Sequence, residues 1–419
     1  MNVEIVTIGT ELLLGFTVDT NGAEMGRMLA DIGVRVTRRT TISDRAGDIT
    51  AAVSDALART RAVIVTGGLG PTRDDITKVT VAELFGVPLE FDESLWDALV
   101  ERYRTAGRVP VESNRTQAQV PRGAVVLPNR WGSASGLWLE DRERGLVVML
   151  PGVPLEMRNL MRHEVVPRLV ARATEARVIR SRTLRTVGVA EAALAERLGE
   201  IERDIAPVTL AYLPQPAGVD LRLTAWDVPE QQATTLLDRA AARVRSHAGR
   251  AVYGEGEDDL AAVVLERARR AGVLIGVAES CTGGLVGARL TETPGSSDVM
   301  QGSVVCYSYR SKADLLGVST ADIERHGAVS EPVVRAMAAG ALERLGAGIS
   351  VAVTGIAGPG GATPEKPVGT VWFATAIGKD VRAVKLVIFG TRAEVRERAA
   401  QTALRLLLDR LDEAAPATG

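Results

Sequence analysis

The sequence predicts an α/β protein in three parts: a doubly wound first domain over residues 1–170, a small α+β unit over 177–252, and a second α/β domain over 258–413. Three observations carry that expectation. Short apolar runs alternate with amphipathic helical stretches in the first and last parts, the pattern of βα units built into a parallel sheet. Between about Arg177 and Val252 the character changes to strand-like runs bracketing an Ala/Arg-rich helix. Two strands, RAVIVTGG (61–68) and VLIGVAES (273–280), run into glycine-broken turns followed by helices, the position where open α/β sheets collect ligands.

In order along the chain, VEIVTIG, VRVTRRTTI and RAVIVTGG are expected as strands, separated by the helices NGAEMGRMLADIG and AGDITAAVSDALART. A hairpin follows at GAVVLPNRWGSASGLWLE, then the strand RGLVVML, then a helix that PGVPLEM opens and that ends near Arg168. TLRTVGV, VTLAYLPQ and VDLRLTAW are expected strands of the middle unit, and the acidic GEGEDD links it to the third. There SVVCYS, ISVAVTG and GTVWFATAI alternate with AAVVLERARRAG and EPVVRAMAAGALERLG.

Composition narrows the function class. A chain of 419 residues, 46% hydrophobic and 24% charged, builds several packed domains. Fifty basic against fifty-two acidic residues leave a net charge of −2, so no field favours nucleic acid or an anionic membrane. No apolar run approaches the ~20 residues of a membrane span. The first residues read directly as a strand with no basic leader, so a cytoplasmic protein is expected. The two cysteines, Cys281 and Cys306, lack metal-site spacing. The three histidines, His163, His247 and His326, lie in scattered polar helical contexts. A histidine base is therefore not expected.

In IVTGGLGPTRDD (64–75) a strand ends in glycines, whose exposed N–H groups suit a phosphate. Asp74 and Asp75 would repel that phosphate unless a hard divalent cation bridges the two. The alternative is an ordinary turn in which Asp75 caps the next helix. These residues leave both readings open. In VLIGVAESCTGG, Ser280 and Cys281 are adjacent possible nucleophiles where strand becomes helix. VVCYSYRSK (304–312) then offers Tyr307 and Lys312. A lysine desolvated enough to lose its proton can activate a serine hydroxyl, which an arginine cannot. The alternative makes Ser280 a helix cap, Tyr307 a strand aromatic and Lys312 a solvated helix residue.

A resemblance bears on both turns. IGTELLLG, TGGLGPTRDD, LPNRWGSASG and PGVPLEM together resemble the N-terminal domain of the competence/damage-inducible CinA family, a domain similar in fold to the MoaB/MogA molybdopterin-binding proteins. The resemblance implies a metal-dependent ADP-ribose pyrophosphatase releasing AMP and ribose 5-phosphate. It implies nucleotide contacts from Glu11, Asn21, Gly67, Gly68, Gly70, Asn129 and Glu156, with Asp74 and Asp75 on a divalent cation (Mg, Mn or Co). Thr116 stands where the family usually has Lys, and Arg45 where it usually has Asn; the first removes one phosphate contact.

AESCTGG, CYSYRSK, GAVSEPVV, TGIAGPGG, PVGTVWFA and FGTR resemble the C-terminal domain of the same family, the nicotinamide mononucleotide (NMN) deamidase. That implies Ser280 as nucleophile, with Lys312 taking its proton directly or through Tyr307, and Cys281 as a packed neighbour. Backbone N–H groups near Thr282, Gly283 and Gly284 would hold the oxyanion, Thr354 and Gly355 the nucleotide, and Arg392 an anionic group. No cofactor is implied for the deamidase. Cys306, Tyr309 and Arg310 depart from the motif around the catalytic types. The middle unit resembles a KH-like fold, yet holds no G-x-x-G loop, so RNA binding is not implied. The family architecture implies a homodimer. Two alternatives stand beside the bifunctional reading: a deamidase with a non-catalytic nucleotide-binding N-terminal domain, and a competence or DNA-damage accessory protein.

Overall fold

In the computed structural model, which describes residues 1–172, 177–215 and 218–414, the alternation of the first part becomes a six-stranded sheet. Its strands are β1 (Asn2–Ile8), β2 (Arg35–Ile42), β3 (Ala62–Thr66), β6 (Val125–Leu127), β7 (Gly136–Asp141) and β8 (Gly145–Leu150), in the order β2-β1-β3-β8-β7-β6. A separate pair, β4 (Leu89–Phe91) and β5 (Gln119–Pro121), stands outside it. The first four strands of that order are parallel, with Ile5 opposite Ile64 and Ile64 opposite Val148. The last two are antiparallel, because hairpin connections are too short for a crossover. The expected parallel sheet is therefore mixed at one edge.

Period-2 alternation feeds two cores. Ile5, Ile64 and Val148 face Met25, Leu29 and Leu160, while Val63, Val65 and Val147 face Ile49, Val53 and Val81. Helices on both faces are what doubly wound means here. The helix opened by Pro154 continues through a single π turn, Met161–Val165, to Arg172, past the expected end at Arg168.

The middle strands are β9 (Arg177–Thr186), β10 (Thr209–Gln215), β11 (Gly218–Pro229) and β12 (Val252–Glu255), in the order β10-β11-β9-β12. By internal contacts the chain divides into two units: Met1–Arg180 with Ala225–Leu236, and Ser181–Thr224 with Leu237 onward.

The last sheet holds β13 (Ile275–Glu279), β14 (Met300–Val305), β15 (Ile349–Gly355), β16 (Thr370–Ile377) and β17 (Asp380–Val387), ordered β14-β13-β15-β16-β17. β14, β13 and β15 are parallel; β16 pairs antiparallel with β15, and β17 with β16 through a tight turn between Ile377 and Asp380. One face is large: Val277, Val351, Val353 and Phe373 pack on Leu404 and Leu407. The other is small, with Ala278, Ala352, Ala374 and Ala376 under the helix Glu331–Leu345. Small side chains there let that helix approach closely. β13, the middle of the three parallel strands, ends at the Ser280 turn.

Candidate active site

Glu279 closes β13, and Ser280 begins the turn that leads to the helix Leu285–Glu292. The Ser280 N–H donates to the Val353 carbonyl at 2.9 Å, pinning the turn to β15. Gly283 and Gly284 follow at φ +62° and +97°, left-handed backbone that a Cβ would strain. The glycines are there for the bend.

Lys312 reaches this turn from the helix Tyr309–Leu316, whose start is capped by Ser308 accepting from the Ser311 N–H. Its Nζ lies 3.0 Å from Ser280 Oγ, 2.7 Å from the Cys306 carbonyl and 3.3 Å from the Tyr307 carbonyl. Only 1% of Lys312 and 8% of Ser280 are exposed. Among the described residues no carboxylate forms an ion pair with Lys312. Burial holds its pKa below the ordinary lysine range, and nothing of opposite charge restores it fully. The alternative of a solvated lysine does not survive this placement. Two carbonyls keep two protons on the nitrogen, and the third position faces the serine. A neutral amine would therefore point its lone pair at Ser280 Oγ.

Cys281 faces elsewhere. It belongs to the core cluster with Val277, Val286 and Leu290, and burial pushes its thiol up to about 12. Cys306 is also buried, free, and raised by burial. Neither environment makes a thiolate.

The remaining expected residues are less uniform. The Tyr307 phenol is exposed and accepts from Arg392 Nη2 at 3.1 Å, so Tyr307 meets Lys312 through its carbonyl and not its hydroxyl. Arg392 also donates to the Gly358 carbonyl at 2.7 Å. The Thr354 hydroxyl is buried and spent on the Ala328 carbonyl, and Gly355 packs its backbone on Val371. The Gly283 N–H donates to the Ser280 carbonyl at 3.1 Å and the Gly284 N–H to Glu279 Oε2 at 2.9 Å. Of the expected oxyanion donors, then, the Thr282 N–H, like that of Cys281, meets no oxygen acceptor among the described residues and lies against the Cys281 sulfur. Sequence reasoning passed over Arg396, one helical turn after Arg392, which donates to the Thr282 carbonyl at 2.9 Å. The i, i+4 spacing in RAEVR was the available signal.

In the first unit the expected residues gather at the carboxyl ends of β1, β3 and β8. Asn21 is buried and donates to Thr66 Oγ1 and to the Gly152 carbonyl, 2.8 Å away, while its own Oδ1 has no partner. With Glu11, Thr66 and Gly152 it lines a cavity of about 110 Å³. Gly67 is needed where it stands: at φ +109°, an added Cβ would lie 2.3 Å from the Ile8 carbonyl oxygen. Gly68 abuts the Thr77 hydroxyl in the same way. Asn129 donates to Glu156 and to the Ala134 carbonyl, and burial raises the Glu156 pKa despite that bond. Arg102, absent from the sequence reading, ties the 129–132 loop by donating to the Asn129, Arg130 and Gly132 carbonyls.

Asp75 does not cap the following helix. Its Oδ2 accepts from the Thr72 N–H at 2.8 Å and the Thr72 hydroxyl at 2.6 Å, under Gly70, and Asp74 is exposed. Among the described residues no group of three or more His, Cys, Asp or Glu side chains is placed to hold a metal. Lys78 is buried and donates to the Thr116 carbonyl; burial lowers it to about 8 although Asp75 lies near. An ammonium thus reaches the position-116 backbone from the helix Thr77–Phe85.

Comparison with known proteins gives three matches along the chain. Residues 4–171 match the "Probable molybdopterin binding domain" family, 181–254 the "Damage-inducible protein CinA KH domain", and 257–411 the "CinA C-terminal domain". A CinA-like protein of Gemmatimonas aurantiaca is 53% identical over 99% of this chain and 96% of its own. A CinA-like protein of Salinibacter ruber is 42% identical over 96% and 98%. A crystal structure of a competence/damage-inducible protein, CihA, from Agrobacterium tumefaciens is 42% identical, covering 36% of this chain and 93% of that one, at a TM-score of 0.35.

Proposed function

The chain belongs to the CinA family, and from that premise we propose that it is a bifunctional pyridine-nucleotide hydrolase. The C-terminal domain would deamidate NMN to nicotinate mononucleotide and ammonia, and the N-terminal domain would hydrolyse ADP-ribose to AMP and ribose 5-phosphate. The observation that carries the first activity is the buried 3.0 Å contact between Lys312 Nζ and Ser280 Oγ.

The chemistry follows from that contact. Neutral Lys312 takes the Ser280 proton as Oγ attacks the carboxamide carbon. The carbonyl oxygen becomes an oxyanion, which the N–H groups of Cys281 and Thr282 would meet on turning from the weak Cys281 sulfur acceptor. The tetrahedral adduct collapses, the C–N bond breaks, and the Lys312 ammonium returns its proton to the leaving ammonia. Water then adds to the acyl-serine with Lys312 again as base, releasing carboxylate. The route runs directly through lysine, with the Tyr307 phenol left to brace Arg392. The reading has the protein acting as a cytoplasmic homodimer. No helix among the described residues is long and apolar enough to cross a membrane.

In the N-terminal domain the exposed Asp74 carboxylate, with the Asp75 oxygen that Thr72 leaves free, would hold a divalent cation beside the glycine turn. When bound, that ion neutralises charge on the bridging phosphates. The unpartnered buried oxygen of Asn21 would accept from a bound nucleotide.

The test is to incubate purified protein with NMN and with ADP-ribose, each with and without a chelator, and to analyse products. ADP-ribose cleavage stops on chelation, and ammonia release from NMN continues. Ammonia release lost with the metal would overturn the lysine–serine mechanism. ADP-ribose left intact under all metals would leave the N-terminal domain as a nucleotide-binding module.

Cys281→Ala and Cys281→Ser keep most of the deamidase. The thiol only packs, so the expected cost is about 1 kcal/mol of stability. A thiol-alkylating reagent inactivates slowly at most. Rapid stoichiometric inactivation that NMN prevents, with a dead Cys281→Ser variant, would move the nucleophile to Cys281.

A further inference from the structure

Glu279, the residue immediately before Ser280, is fully buried, yet among the described residues no lysine or arginine pairs with it. Its partners are neutral. Oε2 accepts from the Gly284 N–H at 2.9 Å and the Val286 N–H at 3.1 Å. Oε1 accepts from the Gly287 N–H at 2.8 Å and the Ser303 hydroxyl at 3.0 Å. Four donors and no acceptor surround its two oxygens. Burying a carboxylate without a counter-ion is costly unless every lone pair is matched, and here they are.

The arrangement has a mechanical consequence. The Glu279 side chain closes a loop onto Gly287, eight residues ahead, and the nucleophile turn lies inside that loop. The Glu279 carbonyl is itself held by the Cys306 N–H at 2.8 Å, beside the carbonyl that binds Lys312. Ser303 belongs to β14, the strand that leads to Cys306. One residue therefore fastens the turn that carries the nucleophile and the strand end that carries its base partner. Gly287 leaves no slack: an added Cβ would lie 2.7 Å from Ser303 Cβ.

We propose that Glu279 is the positioning residue of the nucleophile turn, its buried carboxylate filling the N-terminus of the helix Leu285–Glu292 in place of a substrate anion and so fixing Ser280 against Lys312. The helix end then takes no part in binding phosphate. The inference rests on the reading of Ser280 as nucleophile.

In Glu279→Gln an amide N–H₂ replaces one acceptor and meets two donors, so the turn loosens. A misplacement near 1 Å costs on the order of 100-fold in rate. The expected result, in protein shown folded by circular dichroism, is a kcat for NMN lowered about 100-fold with KM within about threefold. Labelling of Ser280 by a fluorophosphonate probe slows in parallel, and the pH midpoint of kcat stays where it was. Loss of stability alone would lower the active fraction without slowing the labelling of the folded molecules. Ser303→Ala removes one donor of four and lowers kcat by about three- to tenfold, which serves if Glu279→Gln does not fold. Folded Glu279→Gln with near-normal kcat, or a Ser303→Ala variant with unchanged kcat where Glu279→Gln is unfolded, overturns the proposal. An active Ser280→Ala control would instead overturn the nucleophile reading beneath it.

Discussion

Ser280→Ala removes NMN deamidation, lowering kcat by several powers of ten, on the order of 10⁴ or more. Among the described residues the hydroxyl is the only side chain that hydrogen-bonds Lys312 Nζ, beside two backbone carbonyls, so no neighbour inherits its role. Cys281 is adjacent in sequence but is turned into the apolar core with a thiol pushed up to about 12. The fold survives, because Ala fits the turn and the Ser280 backbone bond to Val353 is kept. Ammonia release and the melting temperature, measured on the same preparation, check both halves. A variant that melts normally and still releases ammonia at more than about a hundredth of the normal rate would rule out acyl transfer through Ser280.

Lys312→Ala and Lys312→Arg are expected to be almost equally damaging, each by about three powers of ten. Charge is preserved in the second, but a guanidinium stays protonated and accepts nothing. It is also too large and too flat for a site only 1% exposed and walled by the Cys306 and Tyr307 carbonyls. The wild-type pH profile carries the same argument. Burial lowers the Lys312 pKa, so the neutral, working form is reached at a lower pH than for a free lysine. Deamidation rises with pH through that lowered value. A profile flat across that rise, or substantial activity in the Arg variant, would recast Lys312 as an electrostatic anchor.

Much of this site was legible because its parts are local. A strand of VLIGV type running into S-C-T-G-G announces a turn at a strand end, and scarcity of lysine makes Lys312 conspicuous. What the sequence hid is direction. Whether Tyr307 turns toward Ser280 or away depends on Arg392, far along the chain, and that guanidinium draws the phenol outward. Glu279 sits inside a motif that could be quoted in full, yet its contacts need Ser303 from the neighbouring strand, the Gly284 N–H and two N–H groups of the next helix. In the first unit the Asp74–Asp75 pair was readable, but the Thr72 contacts that hold Asp75 back were not. Lys78 carried no sequence signal; its burial and its bond to the Thr116 carbonyl exist only in the fold. The antiparallel edges follow from short connections, among them Gly378–Lys379, whose turn chemistry was in plain view.

The sealed thiols of the C-terminal domain reach beyond packing. A cysteine amidase carries its nucleophile as a thiolate, which peroxide converts to sulfenic acid and then to irreversible higher oxides. A hydroxyl has no such ladder, and Lys312 offers oxidants nothing comparable. Cys281 and Cys306 are 5% and 0% exposed, each with its thiol kept protonated by burial. On the proposed reading, hydrolysis at Ser280 is therefore expected to continue at peroxide levels that silence thiol enzymes, which ammonia release from NMN in the presence of peroxide would measure.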